Sequence, residues 1–155
     1  MTITPEKLAV ATLGAATFPS PLGLSTKPGD GTGDFVSDHT RVLCHVETTP
    51  SKPHHEDLSF EKAGPRQQLF FDGRASKAAI VTCGGLCPGI NNVIRSAFLQ
   101  LYHRYGVPEV LGIRYGYQGL NPDKAMPPIR MTPEFVERIH NLGGSVLGSS
   151  RGPED

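Results

Sequence analysis

The sequence has no tryptophan and only three cysteines, Cys44, Cys83 and Cys87, and its aromatic content is 7%. Three scattered cysteines build no disulfide framework, which fits a reducing compartment. Cys83-x3-Cys87 is followed by Pro88, and no second Cys/His pair has metal-site spacing, so small side chains at a strand end are the simpler reading. Net charge is lacking too: 15 Lys+Arg balance 15 Asp+Glu. No global field therefore attracts nucleic acid or an anionic membrane, although a local phosphate site stays open. Long apolar runs are missing as well. The stretch from Leu8 to Phe18 is interrupted by Thr12, Gly14 and Thr17 and ended by Pro19 and Pro21, far short of the roughly 20 residues a membrane span needs. The chain reads as soluble, unexported and cytoplasmic. At 155 residues it has room for one ordinary domain.

What is present is unevenly spread. Residues 1–65 hold most of the Pro, Ser, Thr and isolated Gly and read as a largely irregular N-terminal extension. Within it, Arg41 to Glu47 has strand-like alternation, and Gln67 to Phe71 is a second short strand before an Asp72-Gly73 turn. The two are expected to pair as a short β-hairpin. His39, His45, His54 and His55 sit in separate contexts, which favours solvated histidines over a metal centre.

Residues 66–155 carry an α/β pattern. Ala78 to Cys83 is an apolar run with no solvent face, expected for a strand buried on both sides of a parallel sheet. A glycine-rich turn follows. Ile90, Val93, Ile94, Ala97, Phe98, Leu101 and Tyr105 then recur at helical spacing, with Asn91, Asn92, Arg95, Gln100 and Arg104 on the remaining surface, until Gly106. Glu109 to Ile113 resumes strand character, so strand, helix and strand take about 36 residues, one βαβ unit. A loop spans Arg114 to Met131. Thr132 as N-cap, Pro133 and Glu134 open another helix, which Gly143 closes. The fold class expected is α/β, the start of a doubly wound, mainly parallel Rossmann-like sheet.

Chemistry concentrates in two segments. In Gly84-Gly85-Leu86-Cys87-Pro88-Gly89, residues without Cβ atoms let backbone N–H groups converge on an anion, and the next helix adds the positive end of its dipole. This is neither a Walker A loop nor a G-x-G-x-x-G fingerprint, and a packing turn uses the same residues. In Gly143 to Gly152, small residues clear space around Arg151, whose planar fork suits phosphoryl oxygens; a solvated arginine after a tight turn is the alternative. In an open α/β sheet both segments lie near the carboxyl ends of strands, where ligands bind.

Ala79 to Arg95 (AIVTCGGLCPGINNVIR) resembles the first strand, phosphate loop and helix of the phosphofructokinase family, in its plant and trypanosomatid ATP-using form. Phe60 to Arg66, Arg114 to Gly119 and Gly148 to Gly152 complete a collinear likeness. The resemblance implies 6-phosphofructokinase activity, with fructose 6-phosphate and nucleotide as partners and ATP, or pyrophosphate in the related form, as donor. It implies that Gly84 and Gly85, with Arg151 and Gly152, lie at the donor phosphates and that Tyr117 lies near the nucleotide. It also implies that the catalytic aspartates and the Mg²⁺ ligands belong to segments downstream of this chain. No catalytic or metal-binding residue is thus expected within it, and it is expected to be part of a longer, homo-oligomeric kinase, inactive alone. A catalytically dead nucleotide- or phosphate-binding module is the reading from another class.

Overall fold

The computed structural model describes residues 3–51 and 55–151 of the chain, which divides into two units, Met1–Phe70 and Phe71–Asp155. His54 and Gly152 lie outside the described residues.

In the first unit, Pro and Gly interrupt every element early. A one-turn helix α1 (Pro5–Leu8) is followed by strands β1 (Phe18–Pro19), β2 (Arg41–Leu43), β3 (Ser59–Glu61) and β4 (Gln68–Leu69). The pairing differs from the expected hairpin: β2 pairs antiparallel with β3, and β4 pairs antiparallel with β1. Side-chain bonds account for the β2–β3 choice. The Arg41 guanidinium donates to the Ser59 carbonyl at 2.6 Å and, through Nε, to Ser59 Oγ at 3.2 Å. Arg66, whose side chain is 17% exposed, donates to the Ser37 carbonyl at 2.6 Å and sits 3.4 Å from Asp38 and 3.5 Å from Glu61. Such clasps stand in for an apolar core in this unit.

The second unit is α/β. Strand β5 (Lys77–Val81) lies parallel to β6 (Glu109–Ile113), and β6 pairs antiparallel on its other side with β7 (Ile129–Arg130). Helix α2 (Ile90–Leu99) crosses between the parallel strands and runs into a π-helical turn, Gln100–Arg104, rather than continuing regularly to Tyr105. Ile94 and Phe98 of α2 are buried with Val110 of β6, Val136, Ile139 and Leu147. Each such side chain contributes about 1.5–3 kcal/mol. Thr132 caps α3 (Pro133–Val136) as expected, its Oγ1 accepting from Phe135 N–H at 3.2 Å, but that helix lasts one turn before a 3-10 segment, Ile139–Asn141.

Three expectations are corrected here. Only β6 is buried along most of its length; Ala79 of β5 is exposed, because β5 has a single strand neighbour among the described residues. Val93 is 67% exposed, whereas Asn91, assigned to the polar surface, is 3% exposed. The Arg114–Met131 connection contains a 3-10 segment, Gly116–Leu120, as well as β7. No helix among the described residues is long and apolar enough to cross a membrane.

Candidate functional site

Val81 and Ile113 are register partners at the carboxyl ends of β5 and β6. The glycine-rich loop after β5 and the small-residue loop before Arg151 meet there. Thr82 Oγ1 donates to the Gly148 carbonyl at 2.9 Å and lies 3.1 Å from Ser145 Oγ. Gly84 N–H donates to the Ser150 carbonyl at 2.9 Å, and Ser149 Oγ donates to the Gly84 carbonyl at 2.6 Å.

These bonds bring Gly84, Gly85 and Arg151 together. A Cβ at Gly85 would lie 3.1 Å from Arg151 Nη2. Arg151 is exposed and has no carboxylate partner among the described residues. The N–H of Gly84 is already committed to Ser150, but those of Gly85, Leu86 and Cys87 have no acceptor among the described residues. Successive free amides beside an unpaired guanidinium form an arrangement suited to phosphoryl oxygens.

The third motif also closes on this junction, through a residue that the sequence did not single out. A Cβ at Gly116 would lie 2.9 Å from Ser150 Oγ and 3.1 Å from the Thr82 carbonyl oxygen. Tyr115 adopts a left-handed backbone conformation with φ of 59°, and its N–H donates to the Leu147 carbonyl at 2.9 Å. Its ring fills the space over Gly148, where a Cβ would come within 2.7 Å of Tyr115 Cδ1. Tyr117 is 56% exposed on the following turn and carries none of these bracing contacts. Glycine flanked by two tyrosines was the available signal, and it does not say which ring turns inward.

Helix α2 starts at Gly89, in the left-handed region with φ of 87° and no side-chain cap, and the N–H of Ile90 donates to the Cys87 carbonyl at 3.2 Å. Asn91 fixes this start to the second loop: its Nδ2 donates to the Leu142 carbonyl at 2.9 Å, and its Oδ1 accepts from Val146 N–H at 3.0 Å. A cleft of about 410 Å³ opens between Leu86–Gly89 and Gly143–Gly144, with Cys87 and His140 in its walls. Gly84, Gly85 and Arg151 do not line it.

No group of three or more His, Cys, Asp or Glu among the described residues could hold a metal ion. The one strand-borne carboxylate with a depressed pKa, Glu109, sits at the far end of the sheet. A hydrogen bond from Lys77, then the lysine charge and that of Arg130, hold it below the usual glutamate value.

Residues 77–155 match the family described as Phosphofructokinase. The chain is 45% identical to the ATP-dependent 6-phosphofructokinase of Borreliella burgdorferi over 79% of its length, covering 28% of that enzyme. It is 53% identical to the enzyme of the same name from Entamoeba histolytica, over 77% of this chain and 27% of the relative. With the Trypanosoma brucei brucei ATP-dependent 6-phosphofructokinase it shares 36% identity over 99% of its length and 32% of the relative's. The chain thus spans about a third or less of the curated relatives it matches.

Proposed function

The chain belongs to the phosphofructokinase family, and on that premise we propose that its second unit supplies the donor-phosphate part of an ATP-dependent 6-phosphofructokinase. The whole enzyme would transfer the terminal phosphoryl group of ATP to fructose 6-phosphate, giving fructose 1,6-bisphosphate in glycolysis, in the cytoplasm and as a homo-oligomer. The observation that carries the reading is the approach of Arg151 Nη2 to Gly85, 3.1 Å from where a Cβ would stand, beside the free amides of Gly85, Leu86 and Cys87. In this proposal the amides hold the donor phosphates in place. Arg151 meets the charge that moves during transfer, and Gly152 completes the pair. Tyr117 lies toward the nucleotide.

Phosphoryl transfer depends on positioning and on charge stabilisation, to which Mg²⁺ contributes when bound. The described residues do not furnish a ligand set for that ion. The aspartate segments that the family resemblance assigns to it are not among these 155 residues. Purified chain is accordingly expected to form no fructose 1,6-bisphosphate from ATP or from pyrophosphate. Turnover that survives removal of host kinase would refute this.

Calorimetric titration of the chain with ATP tests the site directly. Gly84→Val and Arg151→Ala are each expected to weaken ATP binding at least tenfold. In a chain completed to the length of its relatives, Arg151→Ala should lower kcat on the order of a hundredfold, about 3 kcal/mol. Unchanged ATP affinity and kcat in both variants would make the two loops packing turns. Tighter binding of pyrophosphate than of ATP would reassign the donor.

A further inference from the structure

The peptide unit between Gly84 and Gly85 has its two polar groups in opposite situations. Its carbonyl, on Gly84, accepts from Ser149 Oγ at 2.6 Å. Its N–H, on Gly85, has no acceptor among the described residues. No described peptide bond is cis, so the carbonyl and the N–H of one unit point in opposite directions. A hydroxyl that draws the Gly84 carbonyl toward the second loop therefore turns the Gly85 N–H away from Ser149.

Little else sets that orientation. A peptide unit turns over by a paired change of ψ on one residue and φ on the next, and Cβ atoms are what normally restrict it. Here both flanking residues are glycine, free to enter either half of φ space. Gly84 already holds φ of 96°, and a Cβ there would meet nothing within 4 Å. Around Gly85 the nearest atoms are the tip of the Arg151 side chain, which is flexible. The bond from Gly84 N–H to the Ser150 carbonyl belongs to the preceding peptide unit and does not hold this one. Of the two adjacent hydroxyls, only that of Ser149 reaches the glycine loop; Ser150 Oγ is buried with no partner among the described residues. Turned over, the unit would present a carbonyl oxygen where it now presents an N–H, and an acceptor there repels an anion.

We propose that Ser149 is a positioning residue for the phosphoryl donor, holding the Gly84–Gly85 peptide in the one orientation that offers its N–H to phosphoryl oxygens. The inference rests on the donor-phosphate reading given above and adds what sets the amide. Without the hydroxyl the unit is shared between two orientations, and donor affinity falls by the fraction of chains in the wrong one. Arg151 stays in place.

The test uses the isotope-labelled 155-residue chain, with ATP as the ligand. Ser149→Ala is expected to change the residual dipolar coupling of the Gly85 N–H while couplings along β5 and β6 keep their native values. The dissociation constant for ATP should rise about tenfold, the value for a competent orientation populated about one-tenth of the time. Ser149→Thr keeps the hydroxyl and should restore both readings. Ser149→Thr and Ser149→Val match in shape and differ in that hydroxyl, so their comparison gives the same reading if Ser149→Ala perturbs the fold. A merely structural bond would lower the urea midpoint of Ser149→Ala but leave the Gly85 coupling and the ATP affinity at native values. That result would overturn the proposal, as would equal affinities in the Thr and Val variants. A native chain that binds no ATP would refute the donor-phosphate reading and this inference with it. Native binding that Ser149→Ala leaves unchanged would refute this inference alone.

Discussion

Gly84 and Gly148 both hold left-handed backbone, with φ of 96° and 72°, but their surroundings differ. A Cβ at Gly84 would meet nothing within 4 Å, whereas one at Gly148 would run into the Tyr115 ring at 2.7 Å. Gly84→Ala should therefore cost only the conformational term, about 1–2 kcal/mol. Gly148→Ala should cost that plus overpacking of about 1–3 kcal/mol, because Tyr115 is pinned through Leu147 and cannot retreat. Urea midpoints of the two variants check this, and equal losses would show that Tyr115 yields. Open space at Gly84 also means that packing does not demand glycine there; backbone conformation does, and a phosphate would meet bare main chain. Asn91→Leu probes the same junction from the helix side. It removes the partner of the half-buried Val146 N–H and of the Leu142 carbonyl, and should destabilise by about 1–3 kcal/mol in all, because Leu142 is exposed and its carbonyl can turn to water.

At the scale of elements, the β5–β6 pair carries a titratable clasp at its amino end. Lys77 Nζ lies 2.7 Å from Glu109 Oε2, across the register pair Lys77↔Glu109. The bond from Lys77 lowers the Glu109 pKa, so its contribution is present above the unfolded glutamate value, about 4.3, and is lost as pH falls through the lower folded value. Glu109→Gln should thus be less stable than the native chain near neutrality, with the two urea midpoints converging as the carboxylate protonates. Midpoints that stay equal at every pH would show the pair to be inert, as many exposed pairs are. This strand pair was legible in the sequence, as were α2 and the Thr132 cap, because each is written in a local run: apolar residues at a fixed period, or a capping residue before Pro133. The partners of β1 to β4 were not legible, since strands of two or three residues have no period; only the β2–β3 pair carries a side-chain clasp, from Arg41 to Ser59. The same division holds at the candidate site. Gly84, Gly85 and Arg151 stood out by composition, while Tyr115 did not, because residue type signals neither its left-handed conformation nor its bond to Leu147. Asn91 was misplaced because a polar side chain in a helix reads as solvent-facing until its partners, the Leu142 carbonyl and the Val146 N–H, are known.

Across the whole molecule, burial is divided unequally between the two units. Every buried hydrophobic side chain among the described residues, from Ile94 to Leu147, belongs to the second unit; the only buried residue described in the first is Ser59. Exposed large apolar groups are common in the first unit, among them Val42 and Phe60, which face each other across the β2–β3 register. A segment held by arginine clasps and two short strand pairs has little apolar area to offset the backbone entropy of ordering it, roughly 1–2 kcal/mol per residue. Its hydrogen bonds should therefore open locally, without waiting for the α/β unit to unfold. Amide hydrogen exchange makes this measurable. The amides that bond β5 to β6 should exchange only through global opening of the second unit, while those of Val42 and Phe60 should exchange faster by on the order of a hundredfold or more. Adding ATP should slow exchange at Gly85 and Leu86, where the free amides would gain an acceptor, and leave Val42 and Phe60 unchanged. Uniform protection across both units would show that the chain unfolds as one cooperative body, and that the clasps of the first unit count for as much as the core of the second.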